Sequence, residues 1–296
     1  MHAVASTTEP TGAQTTALNA SEMTLLHVKK SYGEKEFQTD VVRNCSFAIE
    51  RGKLTVMIGP SGCGKSTLIR LLAGFERPSG GSVSIDGKKV TGPGHDRLVL
   101  FQETALFPWM TTGENVMYGP KARGQNTKEM RERGDYLLDK VGLTRFRNKY
   151  PSQLSGGMQR RAELARAMIN DPSIMILDEP FRGLDHMTKE LMWEYYSRLF
   201  EETGRTNFFV TTDIDEAIYL ADRLIIMTNR PTRVRTVVEV DWERPRKLAD
   251  LVDNDAVNLI KQEVLQVLHQ EAMKSFAGGS KAAADFVNAF SKRVGG

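Results

Sequence analysis

Two stretches of this 296-residue sequence carry residue types and spacings that could handle a phosphate. The first is Gly59-Pro60-Ser61-Gly62-Cys63-Gly64-Lys65-Ser66, followed by Thr67. It has the spacing G-x-x-x-x-G-K-[ST]. Glycines let a backbone wrap a phosphate with its N–H groups turned inward, and a helix opening behind the loop adds its positive end. Lys65 would reach the β- and γ-phosphates of ATP, the Ser66 hydroxyl would ligate Mg2+, and Thr67 would add a bond to the α-phosphate. The second stretch is Asp178-Glu179-Pro180, at the end of the apolar run Ile174-Met175-Ile176-Leu177. Asp178 would hold the magnesium ion, and Glu179 would orient or deprotonate an attacking water. Each stretch also has a plainer reading: a chance glycine-rich turn, and a solvated strand end before a proline. Their occurrence on one sheet is what favours chemistry.

Such groups need a scaffold to bring them together. Leu54–Ile58 is a short apolar run that suits a strand buried on both faces, and Ser66–Gly74 reads as a helix stopped by glycine. Leu25–Val28 and Val41–Ile49 alternate as antiparallel strands joined across Gly33–Asp40. Further strands are expected at Gly80–Ile85, Leu98–Phe101, Ile174–Leu177, Asn207–Val210, Leu224–Met227 and Val234–Val240, with helical periodicity from Thr127 to Ala167. This order predicts an α/β fold with a mostly parallel central sheet and a helical subdomain inserted in its middle. Residues 1–22 read as a disordered leader. Asp241–Arg246 reads as a polar linker, and Ala256–Phe276 as a helix packed on its own domain. Ala282–Val294 reads as a last short helix after Gly278-Gly279-Ser280.

Composition excludes several classes. Forty Lys and Arg against 37 Asp and Glu leave a net charge of only +3, with the basic residues dispersed, so nucleic acid is not an expected partner. No run approaches the length of a spanning helix. The N-terminal segment lacks the basic and apolar regions of a secretory signal, so the cytosol is the expected compartment. Cys45 and Cys63 are the two cysteines, read as reduced thiols rather than a disulfide or a metal site.

Leu154-Ser155-Gly156-Gly157-Met158-Gln159 resembles the signature of ATP-binding-cassette (ABC) ATPases, and it lies shortly before the acidic pair as in that family. The resemblance covers about Leu25 to Val240. It implies an ABC-type P-loop NTPase core, an antiparallel β subdomain and an inserted helical subdomain at about 104–170. Residues 241–296 would then be a C-terminal helical extension. It further implies a head-to-tail dimer in which Ser155, Gly156, Gly157 and Gln159 of one subunit complete the ATP site of the other. Tyr32 matches the aromatic that stacks on adenine. Gln102 matches the glutamine that contacts magnesium and water, and Asp185 lies in the Gly183-Leu184-Asp185 loop that crosses between subunits. Gln102 to Val116, with Pro108-Trp109-Met110, corresponds to the groove for a cytoplasmic helix of a membrane permease. The Phe101-Gln102-Glu103 and Phe107-Pro108-Trp109-Met110 strings, with Glu243–Arg246, look most like the nitrate, sulfonate and taurine importer subfamily. Such a subunit would work at the cytoplasmic face of the inner membrane, with a permease and a substrate-binding protein as partners.

Two positions depart from the family pattern. Val210-Thr211-Thr212-Asp213 has Thr212 where the family usually has histidine, and Arg182 stands where subfamily members often have glycine. Threonine is shorter and cannot carry positive charge. The expectation is weaker transition-state support with ATP binding intact. The alternatives are a catalytically weakened regulatory subunit and a non-transport ABC ATPase; the latter usually has two cassettes or a long coiled coil, neither of which is present.

Overall fold

The computed structural model describes residues 22–34 and 37–277. Residues 1–21 of the expected leader and the expected helix Ala282–Val294 lie outside the described residues; the last leader residue, Glu22, is ordered by its N–H donating to Asp86 Oδ1 at 2.9 Å. Two sheets form the framework. The smaller has the order β2-β1-β4-β5 and is antiparallel throughout. It consists of β1 (Met23–Tyr32), β2 (Thr39–Ile49), β4 (Gly80–Ile85) and β5 (Lys88–Lys89). β5 was not foreseen. It is closed by Asp86-Gly87, both at positive φ, which matches the twist of a tight antiparallel hairpin.

The larger sheet has six strands in the order β10-β9-β3-β8-β7-β6. Five are parallel: β3 (Leu54–Ile58), β6 (Arg97–Leu100), β7 (Ile174–Asp178), β8 (Thr206–Thr211) and β9 (Arg223–Met227). β10 (Val234–Glu239) runs antiparallel at one edge. β3 is buried along its whole length, and its period-2 alternation divides the molecule. Leu54, Val56 and Ile58 face one core, shared with the helices of the insertion and the C-terminal helix. Met57 faces a second core, shared with β1, β2 and the helix after the phosphate loop. That helix, α1 (Lys65–Ala73), ends on Gly74 in the left-handed region, as its sequence indicated.

The helical stretch expected from Thr127 to Ala167 is not continuous. It divides into α3 (Lys128–Lys140) and α4 (Gly156–Met168), with two short 3-10 turns between them. The break falls at Gly142, which is at positive φ, and at Pro151. α2 (Thr112–Ala122) forms although Gly113, Gly119 and Pro120 lie inside it. It is started by a capping box in which Thr111 and Glu114 satisfy each other's backbone N–H groups. α5 (His186–Thr203), α6 (Ile214–Leu220), α7 (Asp250–Asp253) and α8 (Asp255–Ala277) complete the chain.

Asp241–Arg246 is not a solvated linker. Arg246 is buried, and its Nη1 donates to the carbonyls of Ile218, Tyr219 and Ala221 at 3.3, 2.7 and 2.8 Å. Those carbonyls end α6, where no further helical turn supplies donors. Arg244 bonds Asp222 at 2.9 Å. α8 then packs Val257 and Val264 into the first core, as expected of a helix packed on its own domain.

Candidate functional site

Four parallel strands deliver their C-terminal ends to one edge of the sheet. Ile58 of β3 lies opposite Thr211 of β8, Val210 lies opposite Asp178 of β7, and Leu177 lies opposite Leu100 of β6. The segments leaving that edge are therefore Gly59–Gly64, Thr212-Asp213, Glu179–Asp185 and Phe101-Gln102. A ligand of an open parallel sheet binds outside this edge.

The phosphate loop is held by close packing. Gly59 passes Met227, and a Cβ added there would stand 2.9 Å from the Met227 Cβ. Gly64 precedes α1 with φ +122°, a conformation open to glycine, and backs onto Val41 and Thr232. Lys65 is buried, and its Nζ donates to the Gly59 and Pro60 carbonyls at 2.9 and 3.1 Å. Its ammonium thus lies within the loop, beside the N-terminus of α1. Cys63 is buried beneath the loop and Cys45 lies in β2, both as free thiols. Burial pushes the Cys63 thiol up, and the Cys45 thiol up to about 12, so both stay protonated.

Tyr32 is the last residue of β1. Its ring is partly exposed, with Lys30 Nζ 4.9 Å from the centroid. Its hydroxyl donates to Glu76 at 2.6 Å. Burial, first, and Glu76 raise its pKa, while Thr67 and Lys30 act in the opposite direction. An aromatic face is thereby set beside the helix that follows the phosphate loop.

Burial and the neighbouring charge of Glu179 push the Asp178 carboxyl up to about 6, against Lys65, Arg182 and Arg70. Glu179 adopts φ +41°, and its N–H donates to the Val210 carbonyl at 2.8 Å. Its Oε2 accepts from Arg182 Nη1 at 3.1 Å, and the same nitrogen donates to Gln102 Oε1 at 3.3 Å. The acidic pair, Lys65 and Gln102 are therefore brought together. Thr212 is exposed at the adjoining strand end. Before it, Thr211 Oγ1 bonds the buried Glu216 carboxylate, which also accepts from Trp193 Nε1 at 2.7 Å.

The signature segment packs against the end of the Glu179–Asp185 segment and the start of α5. Ser155 caps α4, accepting from the Met158 N–H at 3.3 Å. Gly156 and Gly157 abut Leu184 and Thr188, where a Cβ would stand 3.3 and 2.9 Å away. Gln159 donates to the carbonyls of Pro151 and Leu154. Asp185 caps α5 through the Thr188 N–H at 3.0 Å. Among the described residues, none of these side chains bonds the phosphate loop of its own chain.

Comparison with known proteins identifies the lineage. Residues 42–182 match the ABC transporter family model. The chain is 40% identical over 234 residues to an ABC transporter ATP-binding protein of Methanocaldococcus jannaschii, covering 78% of this chain and 85% of that one. The chain belongs to the ATP-binding proteins of ABC transporters. Such a protein binds nucleotide and is an ATPase coupled to transport. It is 40% identical to the nitrate import ATP-binding protein of Synechococcus elongatus over 77% of this chain and 85% of the relative. It is 37% identical to the aliphatic sulfonates import ATP-binding protein of Bacillus licheniformis, over 85% and 96%. Among solved structures, a dimeric ATP-binding cassette in a post-hydrolysis state bound to ADP and Pi superposes with a TM-score of 0.65. That match has 32% identity and covers 75% of this chain and all of the other.

In this ABC ATP-binding protein, sequence reasoning passed over the pair that fixes the Gln102 segment. Arg160 and Glu163 form a buried ion pair at 2.6 Å. Arg160 donates to the Phe101 and Gln102 carbonyls, and Glu163 accepts from the Ala105 N–H. Their i, i+3 spacing just after the signature was the available signal.

Proposed function

We propose that the chain is the ATP-hydrolysing subunit of an importer for a small anion such as nitrate, a sulfonate or taurine. The observation that carries the site reading is the convergence of the phosphate loop, Asp178, Glu179 and Gln102 on one edge of a parallel sheet. The named importers among its relatives support the substrate class.

In this reading the amides of Gly59–Gly64, with Lys65, Ser66 and Thr67, hold the phosphates, and Tyr32 stacks on adenine. Ser66, Asp178 and Gln102 offer only oxygen donors, the set suited to Mg2+. Burial, first, and the Glu179 charge raise the Asp178 carboxyl, and a cation held there would oppose both. Held by these residues, the ion would supply positive charge to offset that of the phosphates. Glu179 takes a proton from water as that water's oxygen bonds to the γ-phosphorus and the bond to ADP breaks. Thr212, exposed beside it, contributes at most a hydroxyl.

Ser155, Gly156, Gly157, Gln159 and Asp185 would serve the ATP held by a second ATPase subunit, identical or homologous. Among the described residues the side chains of Ser155, Gln159 and Asp185 bond neighbours other than the phosphate loop of their own chain, which supports this. Residues 23–240 would form the ATPase domain, with the helical subdomain at about 104–170 and an extension over 241–296. Permease subunits and a substrate-binding protein complete the assembly, with this subunit peripheral on the cytoplasmic face of the inner membrane. Among the described residues no helix is long and apolar enough to cross a membrane.

The test is Glu179→Gln in the full chain, assayed for ATP turnover and ATP retention. Turnover should fall about 100-fold or more while ATP stays bound. Turnover at the parent rate would refute the role of Glu179. If Thr212→His raises the parent rate about tenfold or more, the weakened-subunit reading gains; an unchanged rate removes it.

A further inference from the structure

The turn after the acidic pair contains an arginine that no part of the foregoing site requires. Arg182 Nη1 is a single nitrogen bonded to two side chains from different strand ends: Glu179 Oε2 at 3.1 Å and Gln102 Oε1 at 3.3 Å. The turn itself is closed by the Arg182 N–H donating to the Glu179 carbonyl at 3.1 Å. Exposure differs sharply between the partners, 61% for the Arg182 side chain and 11% for that of Glu179. An ion pair with one partner so exposed contributes little to stability. Its consequence is geometric: it fixes the torsions of a carboxylate and an amide that would otherwise rotate independently. Glu179 already has its backbone locked, at φ +41° with its N–H on Val210. Its side-chain torsions are the remaining freedom.

We propose that Arg182 is a positioning residue for ATP hydrolysis, tying the Glu179 carboxylate through Oε2 to the Gln102 amide and leaving Oε1 to take the proton of the attacking water. This rests on the reading of Glu179 as the base. The orienting force lies in a charge-assisted bond, and one nitrogen makes both contacts. A lysine ammonium can therefore replace it, whereas a neutral residue cannot.

The experiment uses the full chain with Arg182→Gly, Arg182→Gln and Arg182→Lys. It measures steady-state ATP turnover, equilibrium binding of a non-hydrolysable ATP analogue, and thermal unfolding. Arg182→Gly and Arg182→Gln should lower kcat about tenfold while KM and analogue affinity stay within about twofold. Arg182→Lys should return kcat to within about threefold of the parent. All three should unfold at the parent temperature. The proposal is overturned if Arg182→Gly keeps the parent kcat, if Arg182→Lys is no better than Arg182→Gly, or if lost turnover follows lost analogue binding. Glu179→Gln separates the two levels. Parent-rate turnover in that variant removes the base itself. An inactive Glu179→Gln beside a fully active Arg182→Gly removes only the role of Arg182.

Discussion

Replacing Glu216 with glutamine should make the protein more stable at pH 8 and leave it unchanged near pH 4.5. Glu216 is 4% exposed, on α6 directly behind the Thr211-Thr212 strand end. Its carboxylate accepts from Trp193 Nε1 at 2.7 Å and from the Thr211 hydroxyl. Burial pushes its pKa from an ordinary 4.5 up to about 7; the two hydrogen bonds and Lys189 oppose the rise, and Asp213 adds to it. The folded state therefore prefers the neutral acid. The stability associated with that preference is complete below about pH 4.5 and is lost as pH rises through about 7. Each pH unit between the two values is worth about 1.4 kcal/mol, so full ionisation costs about 3 kcal/mol. Glutamine keeps the acceptor for Trp193 and can donate to Thr211 Oγ1, without the charge. Urea unfolding of parent and Glu216→Gln at pH 5, 6.5 and 8 measures the difference directly. The gap should open from under about 1 kcal/mol at pH 5 to about 3 kcal/mol at pH 8 in favour of the variant. A gap independent of pH, or one favouring the parent at pH 8, would refute the burial argument.

Gly64→Ala should weaken binding of an ATP analogue about tenfold or more. The backbone there has φ +122°, and the new Cβ would stand 3.0 Å from Val41 Cγ1 and 3.4 Å from Thr232 Cγ2. Gly62→Ala, where nothing lies within 4 Å of the added Cβ, is the milder comparison; equal losses in calorimetric titrations would discount the packing argument. Arg246→Ala should destabilise the fold by about 2–4 kcal/mol, because three carbonyls at the end of α6 lose their donor in a buried setting. A loss under about 1 kcal/mol in denaturant unfolding would mean that water reaches them.

The strands and the phosphate loop were legible because their signals are local. Leu54–Ile58 is apolar at every position, so it had to be a strand covered on both faces. The loop's glycines and Lys65 carry their requirement in a single octapeptide. Asp178 and Glu179 were legible for the same reason, as acids closing an apolar run. α2 was hidden because Gly113, Gly119 and Pro120 argue against a helix locally, and tertiary packing of Val116 and Met117 overrides them. The buried arginines were hidden for a different reason. A sequence assigns a charge to water by default, and only the folded chain shows that helix-end carbonyls surround Arg246.

By itself, then, the sequence determined the chemistry available: a phosphate-wrapping loop, an acidic pair, a second helix start at Ser155, and an arginine and a threonine in unexpected places. Tertiary structure decided which of these meet. Parallel pairing of β3, β8, β7 and β6 brings residues more than a hundred positions apart to one sheet edge. Packing of the start of α4 against Leu184 and Thr188 sets Ser155–Gly157 on the loop and helix that follow the acidic pair. Pairing of β6 with β7 sets Gln102 beside Glu179, so that one Arg182 nitrogen reaches both, a three-way contact that strand order creates and no local spacing encodes.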